Sequence, residues 1–128
     1  MVSMDSTYKI KDNCLFLKVT GDFDKNRSIE IIYETHEKLL THNLTMIFCD
    51  VRDVTGLEYP RKPILSIYDL SSMISTYVPS RTKIIILGTE KQVDKYAFFE
   101  DEMIKRGFSV KVTSKPEEGL KWLSEEKS

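Results

Sequence analysis

The stretch Met46-Ile47-Phe48-Cys49-Asp50-Val51-Arg52-Asp53-Val54-Thr55-Gly56 joins a short apolar run to a tail of charged and small polar residues. An apolar run this short, ending abruptly in Asp, Arg, Asp, Thr and Gly, has the pattern of a buried strand that delivers polar groups to a sheet edge. In an open α/β sheet the carboxyl ends of the strands are where ligands and partners bind, so function is expected at this edge. No catalytic or metal motif completes itself around it.

Working outward, the pattern predicts alternating strands and helices. Thr7 to Lys11 and Cys14 to Thr20 alternate as two strands joined by the turn Asp12-Asn13. Gly21-Asp22-Phe23-Asp24 is expected to break the second strand, with either Asp capping the next helix. On that helix Ile29, Ile32, Tyr33, His36, Leu39 and Leu40 recur at three- and four-residue spacing, predicting one buried face. Met46 to Asp50 is the third strand, and a helix is expected from about Pro63 to Tyr77, with Pro63 near its first position. Thr82 to Leu87 is a β-branched strand, Thr89 caps a helix over Glu90 to Arg106, and Gly107 stops it. Ser109 to Thr113 is the last strand. Ser114, three residues before Glu117, has capping-box spacing and is expected to open a helix through Leu123. The order β-β-α-β-α-β-α-β-α predicts an α/β fold with a mixed, mostly parallel five-stranded sheet and about four helices. The first strand is its antiparallel edge.

This order, with its residue markers, resembles the SpoIIAA-like branch of the STAS superfamily, the domain of anti-sigma-factor antagonists and sulphate transporters. The carriers are Asp50-Val51-Arg52-Asp53-Val54-Thr55-Gly56 and the closing Glu117-Glu118-Gly119-Leu120-Lys121-Trp122-Leu123. The resemblance spans about residues 7–123, and the fold it implies is similar to that of CRAL-TRIO lipid-transfer domains. It implies a small cytoplasmic binding or interaction domain, frequently dimeric, without established chemistry. Anti-sigma antagonists carry an Asp-Ser-Ser-Gly-like signature whose serine a partner kinase phosphorylates. Here the region reads Val54-Thr55-Gly56-Leu57-Glu58-Tyr59-Pro60, so the serine pair is missing and Thr55 is its only substitute.

The bulk numbers bound the same reading. A chain of 128 residues fits one domain, expected over 1–128 with an ordered core of about 7–123. With 41% apolar and 30% charged residues it is a globular chain and not a disordered one. A net charge of −1 supplies no global field for nucleic acid or an anionic membrane. Cys14 and Cys49 each fall in a predicted strand and read as buried thiols, too few for a disulfide framework. Met1 to Ser6 lacks a secretory signal, and runs such as Ile84-Ile85-Ile86-Leu87 are too short to span a bilayer, so the cytoplasm is expected.

Several clusters qualify as candidate sites. Asp50, Arg52 and Asp53 converge at one strand end, where they could orient a polar headgroup or a partner's backbone. They could equally close a loop, with Asp50 capping N–H groups while Arg52 pairs with a carboxylate. Arg61 and Lys62, at the start of the helix expected from Pro63, read as an anion site for phosphate or a lipid headgroup, or as solvated charge. His36 and His42 are the only histidines; His36 is a half-buried packing residue, and no metal site is expected. No serine lies in a nucleophile motif, so no enzymatic activity and no cofactor are expected.

The helix over Pro63 to Tyr77 is apolar on two sides. Ile64, Ile67, Tyr68, Ile74 and Val78 form one face, while Leu70, Met73 and Tyr77 make a second stripe. On the helix over Glu90 to Arg106, Val93, Tyr96, Ala97, Met103 and Ile104 are expected to face inward and Phe98 outward. The second stripe needs a cover: a helix of the same domain, a second copy of the chain, or a lipid. Two functions follow as expectations. The first is a non-enzymatic regulatory protein–protein interaction module, a homodimer by preference, engaging Asp50, Arg52, Asp53, Thr55, Arg61 and Lys62 together with the stripe of Leu70, Met73, Tyr77 and Phe98. The second is a carrier or sensor of a lipid or amphipathic small molecule held between those two helices.

Overall fold

The computed structural model describes residues 3–56, 72 and 74–125. Most of the helix expected over Pro63–Tyr77, with Arg61, Lys62, Leu70 and Met73, lies outside them; residues 72 and 74–77 are helical. The strands are β1 (Asp5–Lys11), β2 (Cys14–Asp22), β3 (Met46–Thr55), β4 (Lys83–Leu87) and β5 (Ser109–Thr113). The helices are α1 (Lys25–His42), α2 (Glu90–Lys105) and α3 (Pro116–Ser124).

The five strands form one sheet in the order β1-β2-β3-β4-β5. β1 runs antiparallel to β2 and every other pair is parallel. Asp12 and Asn13 make the hairpin turn with φ of 51° and 61°, left-handed values that a two-residue turn between twisted strands requires. Because the strand order never reverses, right-handed crossovers place their connecting helices on one face. The side chains agree. Leu15, Ile47, Ile84 and Val110 meet Leu39, Phe99 and Met103 on that face. On the other, Phe48, Ile85 and Leu87 meet Leu123 of α3. α3 lies over β4 and β5, and Lys83 ties it down by donating to the carbonyls of Trp122 (3.0 Å), Leu123 (3.3 Å) and Glu125 (2.8 Å). The outer face of β1, β2 and the far half of β3 carries Thr7, Lys9, Lys18 and Arg52, all exposed.

Five local expectations are corrected. β2 does not break at Gly21 but runs through it to Asp22, and Asp24 is the residue that caps α1, accepting from Asn26 and Arg27 N–H. Gly21 has φ +98°, and a Cβ there would stand 2.2 Å from the Ser3 carbonyl oxygen. The residue is glycine because the segment leading into β1 leaves no room, so it marks a close approach inside a strand. β3 likewise continues past Asp50 to Thr55, since β2 still pairs with it there.

The buried line of α1 is Ser28, Ile31, Thr35 and Leu39, while Tyr33 and Leu40 are exposed. Ser28 and Thr35 hydroxyls donate back to the Asp24 and Ile31 carbonyls, at 2.9 and 2.7 Å, so two polar residues sit in the core satisfied and shift the apolar phase. On α2, Gln92, Phe99 and Met103 are buried whereas Ala97 and Ile104 are exposed. Finally, α3 starts at Pro116 with Lys115 as its uncapped N-cap; Ser114 forms no capping box, and Thr113 Oγ1 instead accepts from Lys115 N–H at 3.1 Å.

Candidate interaction site

Beyond Asp50, β3 has lost its neighbour on one side. The β3–β4 ladder ends at Asp50↔Leu87, and Gly88 turns the chain into α2. On the other side β2 continues, with a register shift between Lys18 and Thr20 that sets the extra residue of a bulge into β3. The carbonyls that this extension cannot pair with β4 need donors. Gln92 supplies them: its Nε2 donates to Val51 O at 3.0 Å and to Val54 O at 3.2 Å. Its Oε1 accepts from Thr89 N–H at 2.8 Å, while Gln92 N–H donates to Thr89 Oγ1 at 3.2 Å, closing a capping box. One buried amide, 2% exposed, therefore both starts α2 and stands in for a missing strand. Gly88 makes room, since a Cβ there would lie 3.0 Å from Gln92 Cβ.

The strand held this way presents polar groups on the sheet's outer face. Arg52 reaches back to Asp50 through two parallel bonds, Nε to Oδ1 at 3.1 Å and Nη2 to Oδ2 at 3.0 Å, and its own N–H donates to Oδ1 at 3.0 Å. This fork geometry is the strong form of an Arg–carboxylate pair. Partial burial works to raise the Asp50 carboxyl, but the Arg52 side-chain and backbone bonds overcome it and hold it below the usual carboxylate range. Lys18 and Asp53 lie 3.3 Å apart with side chains 51% and 62% exposed, a pair worth little to stability and free to exchange partners. At the strand's end Thr55 Oγ1 donates to Asp22, and Phe23 N–H donates to Thr55 O at 2.9 Å.

Of the residues singled out in the sequence, Asp50, Arg52, Asp53 and Thr55 thus share one corner of the sheet. Tyr77 and Phe98 belong to the helical layer: Tyr77 packs edge-on against Tyr33 with ring centroids 5.6 Å apart, and Phe98 on α2 is 73% exposed. Arg61, Lys62, Leu70 and Met73 fall outside the described residues. Sequence reasoning missed Lys18, Asp22 and Gln92. Gln92 had a legible signal, Thr89-x-x-Gln92, which is capping-box spacing. The other two become neighbours of β3 only through sheet register.

Among the described residues Asp50 forms no acid–base pair, because it is committed to Arg52 and ionised well below neutrality. Burial pushes the Cys14 thiol up to about 11 and the Cys49 thiol up to about 12, away from nucleophilic use. Among the described residues no group of His, Cys, Asp and Glu is placed to hold a metal ion. An apolar cavity of about 150 Å³ lies between the sheet and the helical layer, lined by residues such as Leu17, Ile31, Cys49, Ile86 and Phe99. Two of its hydroxyl residues, Ser28 and Thr35, are spent on backbone carbonyls.

Two substitutions test this geometry. Gln92→Ala should lower stability by about 1–3 kcal/mol, because it leaves two buried carbonyls without donors. Amide exchange should quicken at residues 51–56 and stay unchanged in β4; equal protection in both variants would contradict the bridging role. Asp50→Asn should cost most at neutral pH. A depressed carboxyl contributes its stability above the unfolded value of about 3.9 and loses it as pH falls through the lower folded value. The gap between wild type and Asp50→Asn in urea unfolding should therefore narrow below about pH 4. A pH-independent gap would assign the effect to packing.

No protein-family model matches the sequence, and no curated protein matches it. By structure the chain is similar to an anti-sigma factor antagonist from Mycobacterium paratuberculosis, with TM-score 0.65, 9% sequence identity and 96% of each chain covered. Among the described residues no helix is long and apolar enough to cross a membrane. With its antiparallel β1 edge, four parallel strands and flanking helices, the chain has the SpoIIAA-like, STAS-type fold of an anti-sigma factor antagonist.

Proposed function

We propose that this chain is a non-enzymatic regulatory module of the cytoplasm that works by binding another protein. The observation that carries this reading is the exposed corner of β3, where Asp50 and Arg52 are locked together beside Lys18, Asp53 and Thr55. Such a surface offers fixed charges and spent catalytic groups, which suits recognition and not turnover. The similarity to an anti-sigma factor antagonist supports the same class of function. The partner would reach from Asp50, Arg52, Asp53 and Thr55 toward Arg61 and Lys62, and to the stripe of Leu70, Met73, Tyr77 and Phe98.

The carrier alternative has less behind it. An acyl chain or drug-sized ligand occupies pockets of about 300–1,000 Å³, and the apolar cavity here measures about 150 Å³. The structural similarity lends the carrier no support. Native mass spectrometry of freshly purified protein that showed an adduct of lipid mass would revive it.

Two experiments test the interaction reading. A partner captured from the source lysate on wild-type bait should be lost from an Arg52→Glu/Asp53→Lys bait that keeps its circular dichroism. Equal capture on both baits would remove the corner from the interface. Incubation with an anti-sigma-type kinase and labelled ATP should leave the chain largely unmodified, since the serine pair is absent and Asp22 stands against Thr55. Phosphate would add nearly two negative charges beside that carboxylate. Stoichiometric label on Thr55 would reverse this conclusion.

A further inference from the structure

We propose that the outer edge of β1 docks a second copy of this chain, strand against strand, antiparallel about a two-fold axis at Tyr8. The hairpin fixes which backbone groups are available. In a two-residue turn the flanking pair, here Lys11↔Cys14, exchanges both ladder bonds. Counting back by twos, Asp5, Thr7 and Lys9 also bond β2, so Ser6, Tyr8 and Ile10 aim their N–H and C=O groups away from the sheet. Ser6 agrees: its N–H bonds the Asp5 carboxylate at 2.8 Å instead of β2. The opposite edge of the sheet is guarded, because the Val112 N–H of β5 donates to Glu100 of α2 at 2.8 Å. β1 has no such helical guard among the described residues, and no proline or bulge interrupts it.

Lysines on an edge strand usually serve to repel other edges. The arrangement of charge in β1 makes its own copy an exception. Centred on Tyr8, antiparallel pairing sets Asp5 opposite the partner's Lys11, Thr7 opposite the partner's Lys9, and Ser6 opposite the partner's Ile10. The outward-facing residues 6, 8 and 10 then meet one another, so the outward N–H groups of Tyr8 and Ile10 find carbonyls, and that of Ser6 exchanges the Asp5 carboxylate for one. No lysine faces a lysine. Moving the axis to Ile10 would put Lys9 opposite Lys11, a like-charge pair. Moving it to Ser6 would carry Lys9 and Lys11 beyond the end of the partner's strand. Charge thus selects one register, and that register covers Ile10, which is 43% exposed in the single chain.

Sedimentation velocity tests the proposal, with the chain expected at twice its 14.9 kDa mass. Lys11→Glu turns the two opposed-charge pairs into like-charge pairs and should weaken association about tenfold or more. Adding Asp5→Lys to it should restore the dimer, a rescue that a general surface effect would not give. Ile10→Pro removes an outward N–H without touching the β2 ladder and should also give monomer. Amides of Tyr8 and Ile10 should gain exchange protection as concentration rises. A wild-type chain that stays monomeric overturns the proposal. So does a dimer insensitive to Lys11→Glu, including one that only Met73→Glu dissociates. If Ile10→Pro fails to fold, the charge swap alone decides.

Discussion

The side chain of Gln92 is the constraint on which the candidate site of this molecule depends. Without it, β3 past Asp50 would be a half-paired strand with carbonyls directed at a helix terminus. Helix N-termini supply N–H donors, but their backbone groups point along the axis and cannot reach sideways to two carbonyls three residues apart. An amide side chain at the third helical position can. It uses its acceptor to cap the helix and both donors to pair the strand, so every polar atom is satisfied in a nearly water-free position. A carboxylate at the same place would complete the capping box but present oxygen to oxygen at Val51 and Val54. The sequence must therefore read Gln and not Glu, although Glu is equally suited to the box alone.

The uninterrupted strand order decides the other half of the argument. In sheets whose order reverses, loops diverge at the switch point and open a crevice for small ligands. Here neighbouring strands are also neighbours in sequence, and the crossover helices crowd onto one face. No crevice arises from that topology. Among the described residues the outer face beyond α3 is accessible, a pleated surface with Thr7, Lys9, Lys18 and Arg52 standing on it.

Much of the fold was legible because each element announces itself by period or by cap. The two left-handed residues of the hairpin, Asp12-Asn13, and the cap at Thr89 follow from residue chemistry alone. The sequence was silent where tertiary pairing overrides local signals. Gly21 reads as a breaker, yet it lies in a strand because only glycine tolerates Ser3 at that distance. Ser28 and Thr35 stand outside the apolar spacing that predicts the buried face of α1, yet a hydroxyl can be buried once it bonds a carbonyl of its own helix. Asp50, Arg52, Asp53 and Thr55 were recognisable as a group because they are contiguous. Lys18 and Asp22 were not, since the sheet register that brings them there, with its bulge, leaves no trace in local composition.

The ionic pairs of the corner differ in kind, and the difference bears on what they can do. Asp50–Arg52 is a fork that engages both carboxylate oxygens, so it acts as scaffold and adds shape more than attraction. Lys18–Asp53 is exposed and exchangeable, so a partner bearing the opposite pattern can replace either member at small cost. Exchangeable charges raise association rates and set register, while affinity comes from apolar area elsewhere. Pairing across β1 would extend this logic. A two-fold axis normal to the sheet keeps both outer faces on the same side and carries the two corners to opposite ends of one continuous surface. A partner with repeated sites would then meet both, and its second contact would form at the high effective concentration that the first imposes.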